Sequence, residues 1–281
     1  MKKLALCIGI NNYPGTDMDL RGCVNDAGDW AAELARRGFS VSKLIDEQAT
    51  KAGMVEGFRR VISQAAAGDL VVITYSGHGT YQYDTDGEEA DGLDEALCPH
   101  DIRKLGAALI DDEIHAIFKT RREGVHLVLI SDSCHSGTVN RAPPSAADRD
   151  ADRMPRFLPM QAWLPEARAA SAGPKGAALP KAGSHGGGSA FRPKNDKDDA
   201  GDVLLAGCEE GEGHFSYDAN FMNRPNGAFT FYALKALRTL PEKASYADWH
   251  AALADDLPST RYPQKPQIQG ASASVRRAVF A

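Results

Sequence analysis

The chain has 281 residues, a net charge of -6 and 43% hydrophobic residues, an ordinary composition for a globular protein. Its length allows one large α/β domain or two small ones. The negative charge gives no electrostatic reason to expect a nucleic acid or an anionic membrane as a partner. No apolar run approaches the roughly 20 residues that a membrane helix needs.

The five cysteines are odd in number and form no C-x-x-C pair, which argues against a disulfide scaffold and a zinc knuckle. We therefore expect a reducing compartment, the cytoplasm. The N-terminal apolar run ends after about seven residues and no A-x-A site follows it, so it predicts a buried first strand rather than a signal peptide.

Strands and helices alternate along the first half of the chain. The apolar pattern predicts, in chain order, a strand over 3–10, a helix over 25–37, a strand over 39–45, a helix from Thr50 to about 67 and a strand over 69–76. Residues 81–101 are dense in acids and predict a long loop, solvated or metal-binding, before a short helix that starts at Asp111. This alternation predicts a largely parallel sheet with helices on both faces.

Two apolar strands end in polar residues that can do chemistry. DLVVITYS leads into SGHG, and HLVLIS leads into DSCHSG. The carboxyl ends of parallel strands are where an open α/β sheet places its chemistry, so His78 and Cys134 suggest a Cys–His dyad, with Asp132 on the same face as Cys134. A thiol needs a base because the thiolate is the nucleophile, and the glycines leave backbone N–H groups available for an oxyanion.

Residues 140–200 change character. They are rich in Ala, Pro, Gly, Arg and Lys without a sustained period, and they predict a flexible connection of about 60 residues. Order is predicted again in a strand over 202–207, in helices over 227–240 and 246–257, and in a last edge strand in the C-terminal tail.

Five motifs together carry a family resemblance. They are GCVNDA (22–27), SGHG (76–79), DGLDEALCPHD (91–101), DSCHSG (132–137) and PQIQG (266–270). In this order and spacing the chain resembles the caspase-like cysteine proteases, and specifically their metacaspase and bacterial orthocaspase branch. The resemblance implies a caspase-hemoglobinase-like α/β/α sandwich whose six-stranded, mostly parallel sheet lies between helices.

The resemblance also implies the roles of the dyad. Cys134 is the nucleophile and His78 the base, and the backbone N–H groups of Gly79 and Cys134 are the oxyanion donors. The chemistry requires no cofactor.

An acidic first pocket is implied as well, since proteases of this branch cut after Arg or Lys. The matching positions are Asp26 and Asp132, with Cys23 and Ser76 lining the pocket. Two carboxylates favour a guanidinium through bidentate hydrogen bonds. Asp26 has an alternative role, as a cap of the helix that follows it.

Calcium is a further expectation, because many metacaspases are activated by it. The matching positions are Asp94, Asp111, Asp112 and Asn140, and the neutral Asn should weaken a site for a hard cation. The alternatives are that 84–94 is a solvated turn and that Asp111 and Asp112 are helix-start charges.

The domain organisation follows from these assignments. Residues 1–139 form a large-subunit-like half with both dyad residues, 140–200 a linker and candidate processing loop, and 201–281 a small-subunit-like half of the same domain. Basic residues that suit cleavage by this enzyme or by an upstream protease occur throughout the linker: Arg141, Arg149, Arg153, Arg156, Arg168, Lys175, Lys181 and Arg192.

The sequence therefore predicts a cysteine endopeptidase that acts on protein substrates after Arg, with Lys as an alternative, and that is made as a precursor. The resemblance extends this to a bacterial stress, cell-death or anti-phage protease cascade. Two rival readings are a catalytically silent caspase-like scaffold and a calcium-binding regulatory module.

Overall fold

Regular elements alternate through the chain in the computed structural model, which describes residues 1–83, 93–104, 106–134, 152–164, 202–208 and 215–281. The strands are β1 (Lys3–Gly9), β2 (Ser40–Ile45), β3 (Leu70–Ser76), β4 (Gly79–Tyr83), β5 (Leu93–Leu97), β6 (Leu109–Ile110), β7 (His126–Asp132), β8 (Arg153–Pro155), β9 (Asp202–Ala206), β10 (Tyr217–Phe221), β11 (Arg224–Gly227) and β12 (Gln267–Gly270). The helices are α1 (Cys23–Arg36), α2 (Lys51–Ser63), α3 (Asp111–Phe118), α4 (Met160–Trp163), α5 (Ala228–Thr239), α6 (Tyr246–Leu253) and α7 (Ser272–Val275).

The main sheet of the described chain has six strands in the order β12–β9–β7–β3–β1–β2. Five of them are parallel, and β12 closes one edge by pairing antiparallel with β9. Since β9 pairs with β7, the two halves on either side of the linker share this sheet.

Helices cover both faces of the sheet. Alternate residues of β1 serve the two layers: Leu6 and Ile8 pack in the cluster that contains Phe58 of α2, whereas Cys7 packs in the cluster that contains Trp30 of α1. Strands that are apolar on both faces are the expected pattern for a doubly covered parallel sheet. The predicted three-layer α/β/α architecture is confirmed.

Most predicted elements lie within a few residues of their expected bounds. The hydroxyl of Thr50 accepts a hydrogen bond from the backbone N–H of Gly53, at 3.1 Å, so Thr50 caps α2 as predicted. The helix ends before residue 67 because the chain turns there: the carboxylate of Asp69 accepts from the N–H of Ala66, and Gly68 adopts a positive φ of 83°.

The predicted loop over 81–101 is wrong in part. β4 and β5 form an antiparallel pair, and β6 adds a third strand. The acidic residues 84–92 lie outside the described ranges. The loop prediction failed because alternation in these two short strands is masked by their polar and acidic residues.

The predicted flexible connection over 140–200 is also wrong in part. Residues 152–164 form β8 and α4, and they bury Arg156, Phe157, Leu158 and Trp163 almost completely. The rest of the connection, 140–151 and 165–200, lies outside the described ranges.

A hairpin after β9 has no counterpart among the predicted elements. β10 and β11 are joined through Met222 and Asn223, whose φ angles are 51° and 64°. A two-residue turn with both central residues at positive φ usually carries Gly or Asn. Here the first position is an exposed Met, so the sequence does not predict the hairpin. β8 pairs with the other side of β10 to complete a three-stranded sheet.

None of the described helices is long and apolar enough to cross a membrane.

Candidate active site

The two predicted dyad residues follow neighbouring parallel strands at the same edge of the sheet. The last residue of β3, Ser76, is in register with the last residue of β7, Asp132, and the N–H of Gly77 lies 3.5 Å from the carbonyl oxygen of Asp132. His78 and Cys134 each come two residues after this pair. Because adjacent strands lie about 4.8 Å apart, the sheet register places these two residues near each other beyond the ends of β3 and β7.

His78 is held in one orientation by its surroundings. Its ring Nε2 lies 2.6 Å from the carbonyl oxygen of Met18, its N–H donates to the hydroxyl oxygen of Tyr13 at 2.8 Å, and the Tyr75 hydroxyl donates to its carbonyl oxygen at 2.7 Å. The carbonyl of Met18 can only accept, so Nε2 carries the proton of the neutral ring and Nδ1 carries the lone pair. Only glycine fits at Gly77, because a Cβ there would overlap both tyrosine hydroxyls.

The two predicted oxyanion donors converge on one oxygen. The N–H groups of Gly79 and Cys134 lie 3.0 Å and 3.2 Å from the carbonyl oxygen of Arg156. The sulfur of Cys134 in turn accepts a hydrogen bond from the N–H of Ser216. A backbone carbonyl of the chain itself therefore occupies the position predicted for a substrate carbonyl.

The side chain of Arg156 fills an acidic pocket beside this carbonyl. One guanidinium nitrogen lies 2.6 Å from the carboxylate of Asp26 and 3.0 Å from that of Asp218, and the other lies 3.1 Å from the carboxylate of Asp132. All four side chains are at most 5% exposed. The pocket therefore pairs one cation with three acids away from water.

Burial and mutual charge shape the ionisation of this cluster. Burial raises the pKa of the Asp26 carboxyl to about 6, and it does so against the lowering influence of the Arg156 guanidinium. Burial alone would lower the pKa of Arg156, but Asp132 and its acidic neighbours hold that pKa well above its usual value. Burial also raises the pKa of the Cys23 thiol well above its ordinary value, so Cys23 lines the pocket as a neutral thiol.

Backbone donors fix two of the pocket acids. Asp26 accepts from the N–H of Gly227 at 2.9 Å, and Asp132 accepts from the N–H and the hydroxyl of Thr230 at 2.9 Å and 2.7 Å. A Cβ at Gly227 would overlap the carboxylate of Asp132, so the start of α5 approaches the pocket closely. The hydroxyl of Ser216 also donates to Asp132.

The predicted pocket residues do not all contact the guanidinium of Arg156. Asp26 and Asp132 contact the guanidinium of Arg156 directly, whereas Ser76 is buried and its hydroxyl has no hydrogen-bond partner within the described ranges. The alternative role of Asp26 as a helix cap is wrong, because α1 has its N-cap at Gly22 and Asp26 lies within the first turn.

Sequence reasoning missed Asp218 as a third pocket acid. It lies on β10, and its carboxylate also accepts from the N–H groups of Arg21 and Gly22, both at 2.9 Å. Its strand belongs to the β10–β11 hairpin, which the residues of the turn do not predict. The available signal for a buried acid was an aspartate between Tyr217 and Ala219, which are both buried. Arg156 was expected in an exposed loop and is instead fully buried.

Comparison with known families decides the assignment. Residues 3–143 match the family described as "Metacaspase, peptidase C14 domain". The chain belongs to the metacaspase family of cysteine peptidases. It is 31% identical to Metacaspase-1A of Neurospora crassa over 95% of its length and 62% of that protein's length. It is 32% identical to Metacaspase-1A of Aspergillus clavatus over 95% and 66% of the two lengths. The chain thus spans about two thirds of these curated relatives.

Two solved structures share the fold of this metacaspase. Protein GSU0716 from Geobacter sulfurreducens superimposes with a TM-score of 0.73 at 29% identity and covers 100% of this chain and 99% of its own. Caspase-1 from Spodoptera frugiperda superimposes with a TM-score of 0.52 at 11% identity, covering 95% and 85% of the two chains, and shows the fold alone.

The predicted calcium ligands do not form a metal cluster in the part of the metacaspase that the structure describes. Asp94 lies on β5, where Gln82 donates to its carboxylate at 3.5 Å, and Asp111 and Asp112 start α3. Within the described ranges no three His, Cys, Asp or Glu side chains are grouped to hold a metal ion. Asn140 lies outside those ranges, so calcium binding stays a prediction.

Proposed function

We propose that this metacaspase is a cysteine endopeptidase that cuts proteins after Arg, and less readily after Lys, through Cys134 and His78. One observation carries the proposal. An arginine of the chain has its guanidinium in a buried acidic pocket and its carbonyl oxygen on the N–H groups of Gly79 and Cys134. Its carbonyl oxygen therefore lies where we propose that the carbonyl oxygen of a substrate Arg binds.

The pocket favours a guanidinium over an ammonium. Three carboxylates approach two different nitrogens of Arg156 from separate directions. The planar guanidinium has donors for all of them. A lysine offers a single compact ammonium group, which is more costly to dehydrate. An aspartate would meet three like charges in a buried site, which excludes it.

The proposed reaction uses the two dyad residues. Nδ1 of His78 takes the proton of the Cys134 thiol, and the thiolate attacks the carbonyl carbon after Arg. The N–H groups of Gly79 and Cys134 stabilise the oxyanion. The leaving amine takes the proton from His78 as the C–N bond breaks. Water, deprotonated by His78, then hydrolyses the thioester and restores the thiol.

The wider proposal covers maturation and setting. The chain is a precursor processed within 140–200 by itself or by an upstream protease, and it acts on protein substrates in a bacterial stress, cell-death or anti-phage cascade. Five free cysteines fit a reducing cytoplasm. Calcium acts as an activator in this proposal and takes no part in the bond-breaking steps.

Hydrolysis of fluorogenic peptides ending in Arg, Lys or Asp tests the proposal. We expect release from Arg, weaker release from Lys and none from Asp, with all activity lost in Cys134→Ala and His78→Ala. Parallel assays with calcium and with chelator test the activator. A folded wild-type chain that, once nicked in the linker, cleaves none of the peptides would favour the silent scaffold instead.

A further inference from the structure

The residues before Arg156 lie in the cleft as an added strand. β8 pairs antiparallel with β10, with Pro155 opposite Tyr217 and Met154 opposite Asp218. The N–H of Arg156 continues this ladder by donating to the carbonyl oxygen of Ser216 at 2.8 Å. Strand addition of this kind is a common way to bind an extended peptide, since backbone hydrogen bonds hold it whatever its sequence.

The residues after Arg156 are held on the other side of the same carbonyl. The N–H of Leu158 donates to the carbonyl oxygen of Gly79 at 2.9 Å. The ring of Phe157 stacks on that of Tyr81, with centroids 6.0 Å apart, and the indole N–H of Trp163 donates to the hydroxyl of Thr80 at 2.9 Å. The segment therefore crosses the catalytic centre and is anchored on both sides of the Arg156–Phe157 bond.

We propose that Arg156–Phe157 is a peptide bond that this enzyme cuts in its own chain, and that the uncut segment 153–158 keeps other substrates out of the cleft. This inference rests on the proposed endopeptidase function. It adds the modification site, the class of sequence around it and the regulation of the cleft. The site reads Arg-Met-Pro-Arg before the cut and Phe-Leu after it.

The step balances with water as the only co-reactant. The sulfur of Cys134 bonds to the carbonyl carbon of Arg156, the bond from that carbon to the nitrogen of Phe157 breaks, and the new amine takes the proton held by His78. Hydrolysis of the thioester then leaves a carboxylate on Arg156 and the free thiol. The products are residues 1–156 and 157–281, which remain joined through the pairing of β7 with β9.

Burial indicates that the cut occurs within one molecule. The side chain of Arg156 is completely buried and Phe157 and Leu158 are at most 1% exposed, so a second enzyme molecule has no access to this bond in the folded chain. The cut should accordingly be first order, with a rate independent of protein concentration. Added wild-type enzyme should not cut folded Cys134→Ala at Arg156–Phe157.

Mass spectrometry and N-terminal sequencing of the purified full chain test the site. We expect a new N-terminus at Phe157 in the wild type and no such fragment in Cys134→Ala, a variant that leaves the acidic pocket intact. Arg156→Gln should lose this cut, and the nearby Arg153→Gln should keep it, because Arg153 points at the ring of Tyr217 rather than into the pocket. Melting temperatures check that each variant is folded.

Peptide hydrolysis separates failure of this inference from failure of the proposed function. We expect wild-type activity on an Arg peptide to rise with a lag that matches the appearance of Phe157. Folded Arg156→Gln should show no such rise, because its uncut segment stays in the cleft. Full activity from a chain intact at Arg156–Phe157, or a first cut at another residue, would overturn the inference while the endopeptidase stands. A folded wild-type chain that, with calcium present, neither cuts itself nor hydrolyses the Arg peptide would overturn both.

Discussion

Two regions of one cleft hold the same segment by different physics. Before the Arg156–Phe157 bond, three buried carboxylates bind one guanidinium, and backbone and side-chain donors orient them. After the bond, the contacts are aromatic: Phe157 packs against Tyr81, and its ring centroid lies 6.2 Å from that of Phe215. We call Tyr81 and Phe215 the aromatic shelf. The charged pocket and the aromatic shelf therefore lie on the two sides of one carbonyl.

Selectivity resides in the charged pocket. A buried charge left without its partner is strongly unfavourable, so the acidic pocket rejects any residue that does not bring a matching cation. An apolar surface distinguishes residues only by area and shape, so the aromatic shelf tolerates substitution. We expect large effects from changes in the first region and moderate effects from changes in the second.

The largest effect should follow removal of one pocket charge. Asp26→Asn keeps the size of the side chain and removes the carboxylate 2.6 Å from the guanidinium. We expect kcat/KM for an Arg peptide to fall by about 10²- to 10³-fold, the range for breaking a buried ion pair. Peptide kinetics on the self-cut enzyme measure it.

Asp29→Asn is the matched control for that substitution. Asp29 lies one turn further along α1 and pairs with Arg224 at 2.6 Å; it shares the amide of Asn226 with Asp26 and forms no ion pair with Arg156. We expect near wild-type kinetics from it, since exposed pairs contribute little. Equal losses in both variants would show that the effect comes from α1 rather than from the pocket.

The pH dependence should report the same carboxyl. Burial raises the pKa of Asp26 to about 6, so the charge is present above that pH and is lost as the pH falls through it. We expect kcat/KM for an Arg peptide to decline as the pH falls through about 6.

Asp26→Asn should remove that decline and leave whatever pH dependence His78 contributes. Asp132, Asp218 and the Cys23 thiol face the same carboxyl, so their variants shift the midpoint without abolishing it. An unchanged acid limb in Asp26→Asn would assign the decline to another group.

The charged region also shows how far sequence could predict the site. The strand tips carrying Asp132, Cys134 and His78 were predictable because a buried parallel strand is an unbroken apolar run and its polar end is visible. Asp218 was not, since its place depends on a hairpin whose turn uses Met222. Arg156 was predictable only as one of many basic residues, because pairing of β8 with β10 is a long-range contact without local pattern.

On the aromatic shelf a moderate effect is expected. A peptide with Phe after the scissile Arg should be cut about tenfold faster than one with Ala. The reason is that an aromatic pair contributes up to about 1.5 kcal/mol beyond the effect of burying its surface. Tyr81→Ala should abolish this preference and keep the requirement for Arg. Competition between the two peptides, followed by mass spectrometry, measures the ratio, and a preference that survives Tyr81→Ala would contradict the role of the shelf.

The smallest effect is expected from one hydrogen bond beyond the shelf. Trp163→Phe removes the indole N–H that donates to Thr80 but keeps an aromatic ring in the same place. We expect the self-cut to slow about three- to tenfold, since a neutral hydrogen bond contributes about 1 kcal/mol net. Trp249→Phe is the matched control, because its indole donates to the carbonyl of Ala233 at the same 2.9 Å in the opposite helical layer. The melting temperatures of both variants should fall by similar amounts. Only Trp163→Phe should slow the appearance of the new N-terminus at Phe157, because only the hydrogen bond from Trp163 to Thr80 positions the segment on the catalytic centre.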